Sequence, residues 1–517
     1  MRDFRDFATL CVHRNLSYKS RPSMVPRSMK VFLHSLQSCC ALFAVFCAAH
    51  VAMAATGDAP HYAATFDAQA QKVRVQLCLT QAHARVAFAA DSGWAMRFAG
   101  DVRRNGSGTV SVDDAGWVAS DWHAGECLSY TADLRAIAAE HKPDVGWQMG
   151  EDFIAAPQLW LLRPDVQGDT DAEIEMRLPA GWSISAPWRE IGRDGDSLRF
   201  RIPNTPADWS SAVAFGRFSE DRIVLPGGVL RLTMLAGVAA NDRAKLRAWL
   251  DRIAKASLSA YGRLPLADVQ VLMIPVGGGR GAVMFGQSVR GQGNALELLI
   301  DPAAPADEFA DDWTAVHELS HLMHPYLGDR GAWLAEGLAT YYQNVLRARS
   351  GLLTPVQGWD RLFQGFQRGA KTRSDETLDE VAQNMHRSHA FQRVYWAGAA
   401  YWLTVDRDLR RDSGGAMNLE TALSRFRDCC LPAYRQWQPE DFVARLDKLA
   451  GSAVFTTRYR EFAGMRQFPD WGKVYADLGI RTDGEHLAFD TTAKDAAIRD
   501  AIMAAPASNA GAPAAAR

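Results

Sequence analysis

Several things are scarce in this 517-residue sequence, and each shortage removes a class of function. Charge of one sign is missing: 57 Lys and Arg stand against 59 Asp and Glu, a formal net charge of −2, so the basic footprint that nucleic acid demands is absent. Apolar runs long enough to cross a bilayer are also lacking. The one candidate, Cys39 to Met53, is short and soon followed by polar sequence, which excludes a permanent membrane span. Cysteine is rare, eight in all, and no pair has the CxxC spacing of a zinc or redox site. There is no internal repeat. The length itself exceeds what one ordinary core supports, so about three domains are expected.

What is present begins with an export signal. Lys30 supplies a basic start, Cys39 to Met53 an apolar run, and Ala52-Met53-Ala54 the small residues of a cleavage site, so cleavage is expected after Ala54. The residues before it are long, mixed in charge and interrupted by Pro22 and Pro26; either Met29 is the true start or they form an extended n-region. Removing residues 1–54 takes away seven basic and two acidic side chains, leaving 50 against 57, a mildly acidic exported chain. Four cysteines stay behind. In an oxidising compartment Cys78 is free to pair with Cys127, whereas adjacent Cys429 and Cys430 would pair only with strain. The alternative reading is buried small hydrophobes.

From about His61 to Met234 apolar and polar residues alternate in short runs such as Lys72-Val73-Arg74-Val75-Gln76-Leu77, separated by turn signals such as Asn105-Gly106. Half-buried strands of an antiparallel β-sandwich explain this. Near Asn241 the period becomes helical, with Asn241 as the cap of a helix over 242–260. Val269–Ile274 reads as a strand, Gly277–Gly293 as a Gly-rich stretch, and Leu296–Ile300 as another strand. Helices are expected over Asp307–Met323, Trp333–Arg349, Tyr395–Arg411 and Pro439–Ala450, and from Ala504 the chain has little to bury.

The chemistry sits in Val316-His317-Glu318-Leu319-Ser320-His321-Leu322, an HExxH pattern within a helical period. Residues four apart share a helix face, so His317 and His321 aim imidazole nitrogens at one ion with Glu318 beside it. Tetrahedral zinc with one position left for water is what such a pair begins to build. Glu336 stands fifteen residues after His321 in a second helix, just past the turn Gly328-Asp329-Arg330-Gly331, among core-like Trp333, Leu334, Leu338 and Tyr341. A connection this short packs the two helices together and makes Glu336 the third ligand of one Zn²⁺. His324 extends the motif, but Leu327 occupies the place where a metzincin needs its third His, so that class is excluded and His324 is read as a rim or packing residue. His386 and His389 read as solvated loop residues.

These motifs resemble those of the gluzincin peptidases, particularly aminopeptidase N and the glycyl aminopeptidase family. Trp333 to Ala339 reproduces their Trp-Leu-x-Glu-Gly-hydrophobic-Ala motif, and Val394-Tyr395-Trp396-Ala397-Gly398-Ala399 is similar to their Val-Tyr-x-x-Gly-Ala motif. The resemblance implies a multidomain α+β fold: a leader over 1–54, a β-sandwich over 55–235, a thermolysin-like α/β catalytic domain over 236–355, a helical domain over 356–485 and a tail over 486–517. It implies a peptide or protein substrate, Glu318 as general base and Tyr395 as donor to the tetrahedral intermediate, with Thr340 orienting a ligand. The Gly-rich stretch, with Gly279, Gly281 and Ala282, corresponds to the substrate-binding edge strand. Here the chain departs from those families, whose Gly-x-Met-Glu-Asn or Gly-Gly-x-Glu-His segment carries a Glu for the free amino group; Gly281-Ala282-Val283-Met284-Phe285 has the glycine and no acid, and Glu297 or an acid of the β-domain is the candidate substitute. Two alternatives stay open, a binding or scaffold protein with little turnover and the epoxide hydrolysis of one gluzincin branch.

Overall fold

The computed structural model describes residues 57–505, apart from 89–94, 107, 114–115, 143, 279–280 and 485. The export segment, Gly279 and the residues from 506 onward lie outside the described residues. In the N-terminal half the alternation becomes strands with one wet face: Tyr62, Ala64 and Phe66 are buried in His61–Asp67, and Val73, Val75 and Leu77 in Lys72–Cys78. A seven-stranded sheet runs in the order Arg189–Asp194, Ser197–Ile202, Ala172–Arg177, His61–Asp67, Lys72–Cys78, Cys127–Asp133 and Ala99–Asn105. It is not wholly antiparallel, because His61–Asp67 lies parallel to Ala172–Arg177. A four-stranded sheet contributes to the same core, where Phe66, Phe153, Trp160, Trp188 and Phe215 meet.

Cys78 and Cys127 are cross-strand partners joined by a disulfide, as an oxidising compartment permits. Cys429 and Cys430 are also bonded to each other, against the sequence expectation. They are the last two residues of the helix Leu419–Cys430.

The strands β1 (Glu220–Leu225) and β2 (Gly228–Met234), which alternation places with the sandwich, instead open a five-stranded sheet with β3 (Asp268–Pro275), β4 (Val283–Val289) and β5 (Ala295–Ile300). Its order is β1-β2-β3-β5-β4, with β2, β3 and β5 parallel and β4 antiparallel on the edge. Helix α1 (Ala240–Ser257) makes the crossover from β2 to β3 and buries Leu246, Trp249, Leu250 and Ile253. Ala239, not Asn241, occupies its cap position, and Asn241 falls in the first turn. β4 forms inside the Gly-rich stretch because Val283, Met284 and Phe285 supply strand side chains between the glycines.

The helix expected over Asp307–Met323 is two, α2 (Ala306–Asp311) and α3 (Thr314–His321). Asp312 breaks them: it is extended, and its carboxylate accepts from the Thr314 amide at 2.7 Å. Then come α4 (Ala332–Arg349), α5 (Pro355–Lys371), α6 (Leu378–Ser388) and α7 (Phe391–Asp412), the middle two started by capping boxes at Thr354 and Thr377. One apolar core continues from β2 and α1 through these helices to Ile502 and Met503. Those last two belong to a helix, Ala496–Met503, in the stretch read as tail; Arg349 Nε donates to the Ile502 carbonyl at 2.7 Å and fastens it to α4. Among the described residues no helix is long and apolar enough to cross a membrane.

Candidate metal centre

His317 and His321 sit one turn apart on α3, both buried, at 3 % and 8 % exposure. Helix α4 brings Glu336 against them. The His317 Nε2 lies 3.2 Å from Glu336 Oε2 and 3.2 Å from His321 Nε2, and the His321 Nε2 lies 3.5 Å from the same carboxylate oxygen. Bonds of about 2.0–2.1 Å at the tetrahedral angle put ligand atoms roughly 3.3 Å apart, so this triangle has the edge lengths of three corners of a zinc tetrahedron.

The outer hydrogen bonds decide which nitrogens face that triangle. Gln343 Oε1 accepts from His317 Nδ1 at 2.8 Å, leaving Nε2 with a bare lone pair. For His321 the partner is His324, whose Nδ1 donates to the Pro325 carbonyl at 2.7 Å. Burial, with Arg290 and His321 nearby, holds His324 well below the usual imidazole range and therefore neutral. Its Nε2 then accepts from His321 Nδ1 at 3.1 Å, and the His321 Nε2 is bare as well. Two lone pairs 3.2 Å apart repel unless a cation lies between them. Burial would raise the Glu336 pKa, but the two histidines beside it outweigh that, and the carboxylate is held well below its ordinary range. The three side chains thus aim two imidazoles and a carboxylate at one place.

Glu318 lies on the side of α3 that meets β4. A side chain at Gly286 would come within 2.6 Å of Thr314 Cγ2 and 2.9 Å of Glu318 Cγ, so only glycine lets the strand approach so closely. Ser288 Oγ donates to the Glu318 carbonyl at 2.7 Å, and Arg290, whose pKa burial pushes down to about 10, donates to the His321 carbonyl at 2.6 Å. Tyr395, on α7, stacks its ring 6.0 Å from that of His317, and Glu336 and Glu318 act on its phenol. Burial first, then Glu336 and Glu318, keeps that phenol well above its usual pKa and hence a donor.

The other candidates divide. Gly281 and Ala282 lead into the edge strand β4, with Gly281 at φ +104°. Thr340 is buried, and its hydroxyl has no partner; Gln343, not Thr340, bonds a histidine of the triangle. Glu297 pairs across β5 and β4 with Gln287, which donates to it at 2.7 Å. Gly286 and Ser288 face α3, so Gln287 and Glu297 face the other way, and Glu297 does not reach the triangle. His386 lies in α6 and His389 caps it, not in a loop; both rings pack on Phe391, and neither belongs to the triangle. Sequence reasoning missed Gln343, His324 and Arg290. The signal for Gln343 was its place seven residues after Glu336 on the same face of α4.

No family model matches this chain, and no curated protein matches it in sequence. Solved structures match it in shape. An aminopeptidase N family protein from Idiomarina loihiensis superposes with a TM-score of 0.62 at 14 % identity, over 81 % of this chain and 78 % of that one. Native yeast LTA4 hydrolase gives 0.51 at 12 % identity, over 82 % of this chain and 70 % of that one. An M1 zinc metallopeptidase from Deinococcus radiodurans gives 0.49 at 15 %, over 80 % and 95 %. The chain has the mixed, multidomain α+β fold of the first two, with N-terminal sheets and a C-terminal helical bundle.

Proposed function

We propose that this protein is an exported, zinc-dependent metallopeptidase. The observation that carries the reading is the triangle of His317 Nε2, His321 Nε2 and Glu336 Oε2, with both histidine tautomers set so that lone pairs converge. His and carboxylate donors at this spacing fit zinc, and these three residues would hold it. When bound, the metal supplies Lewis acidity toward the scissile carbonyl and a lowered pKa for water. Glu318, adjacent in sequence to one ligand, takes a proton from the attacking water and delivers it to the leaving amine. Tyr395 O–H donates where negative charge grows on the carbonyl oxygen. The edge strand behind Gly281 and Ala282 accepts an extended peptide by strand addition. The fold shared with an aminopeptidase N family protein supports this by analogy. Export is supported by the leader motif and by the Cys78–Cys127 bridge.

The test is metal content together with hydrolysis of a mixed peptide library, for wild type, Glu318→Gln and Glu336→Gln. Wild type should hold one zinc per chain and cleave. Glu318→Gln should keep the zinc and lose several orders of magnitude in rate, and Glu336→Gln should lose the metal. Stoichiometric zinc with no cleavage of any peptide would replace the peptidase by a binding module on the same fold.

A further inference from the structure

Beside the triangle lies a cavity of about 210 Å³ between α4, α5 and the start of α7. It shares a wall with the site: Gln343, which holds His317, and Tyr395, which stacks on it, both line the cavity. Three arginines, Arg347, Arg361 and Arg368, also line it, and no acidic side chain does. Arg347 is 0 % exposed, yet its Nε and Nη1 have no hydrogen-bond partner. Its Nη2 donates to the Asp311 carbonyl at 2.7 Å. The Asp311 carboxylate is 69 % exposed and is shared, 3.4 Å from Arg347 and 2.6 Å from Arg361. Asp312, the other acid whose charge reaches Arg347, is engaged by the Thr314 amide. Arg368 is held over the Trp396 ring at 5.2 Å. Positive charge therefore exceeds negative at this wall.

A buried guanidinium with idle donors is costly until a partner arrives, and its planar fork matches a carboxylate. The space is several times the roughly 30 Å³ of one water, enough for a carboxylate on a short stem. We propose that this cavity is a substrate subsite for a carboxylate, brought by an Asp or Glu side chain beside the scissile bond or by the C-terminus of a short peptide. The proposal rests on the peptidase reading and names its substrate class. Gln343 and Tyr395 form the wall shared with the site, and the proposal places the carboxylate on the same molecule as the bond presented to His317, His321 and Glu336.

The experiment uses the zinc-loaded protein and four matched peptides, with Glu or Gln beside the cleaved bond and a free or amidated C-terminus. A preference in kcat/KM of at least tenfold for a carboxylate is expected, and which pair shows it identifies the source. Arg368→Gln and Arg361→Gln should each shrink that ratio, and Arg347→Gln should abolish it; the first two keep the test decisive if the buried variant does not fold. Cleavage of all four at equal rates would overturn the subsite and leave the peptidase reading intact. If none is cleaved, the peptidase reading fails, and calorimetry decides the subsite. Binding of the Glu peptide to wild type but not to Arg368→Gln would uphold it, and equal binding or none would overturn it.

Discussion

His317 and His321 each present Nε2 to one point because each Nδ1 has a partner that can only accept. Gln343 does this for one ring; for the other it takes His324, itself set by the Pro325 carbonyl. The spacing of HExxH was legible as a shared helix face, whereas the tautomers were not, since their partners come from a later helix and from the turn after the motif. Tyr395 makes a sharper case, because a buried aromatic and an oxyanion donor look alike in sequence. Its ring stacks on His317, so Tyr395→Phe should lower kcat roughly 10²-fold with little change in KM and an unaltered fold, measured by steady-state kinetics and thermal melting. Normal kcat with a lowered Tm would make it a packing residue.

Among the elements, α4 and α7 settle the site. They touch backbone to backbone at Gly337 and Gly398, where a methyl group on Gly398 would lie 2.7 Å from the Gly337 Cα and overlap the Trp333 carbonyl oxygen. Trp402 Nε1, donating to the Leu334 carbonyl at 2.8 Å, and Tyr341, donating to Asp406 at 2.9 Å, lock the same pair. The glycines of the Glu-Gly and Tyr-x-x-Gly motifs thus permit the approach that brings Tyr395 to Glu336. Gly398→Ala should cost about 1–3 kcal/mol and also lower kcat, read by denaturation and kinetics on one preparation. Undiminished activity would show that the helices need not approach so closely. In the sheet, burial pushes the Glu297 carboxyl up to about 7 from 4.5. A raised carboxyl pKa means the folded state holds its proton more tightly than the unfolded chain. Stability is therefore fullest below pH 4.5 and falls as pH rises to about 7, by ~3 kcal/mol at most. Glu297→Gln should raise the melting temperature at pH 8 and change it little at pH 4.5; an equal effect at both would remove the buried charge from the account.

For the molecule as a whole, the proposed activity carries expectations of specificity and of compartment. Met284 and Phe285 stand on the edge strand where the motifs this sequence resembles carry an acid, and Glu297 faces away from α3. N-acetylated peptides should therefore compete with free ones in a matched assay; a preference above roughly 10²-fold for the free amine would restore a strict aminopeptidase. Protein recovered from the periplasm should begin at Ala55 by intact mass, and a cytoplasmic chain retaining Met29 to Ala54 would sink the export proposal. Sequence alone determined what is local. The i, i+4 pair His317 and His321, the strand alternation up to Met234 and the helix Pro439–Ala450 follow from periods that each segment must bury on its own. It misplaced β1 and β2, because an alternating strand carries no mark of which sheet it will join. Only the tertiary structure decided that His324 and Gln343 face the outer nitrogens of the triangle's histidines, and that three arginines from two helices surround one cavity. Those arrangements depend on how helices pack across a shared core, and spacing along the chain records the face a side chain lies on but not what that face will meet.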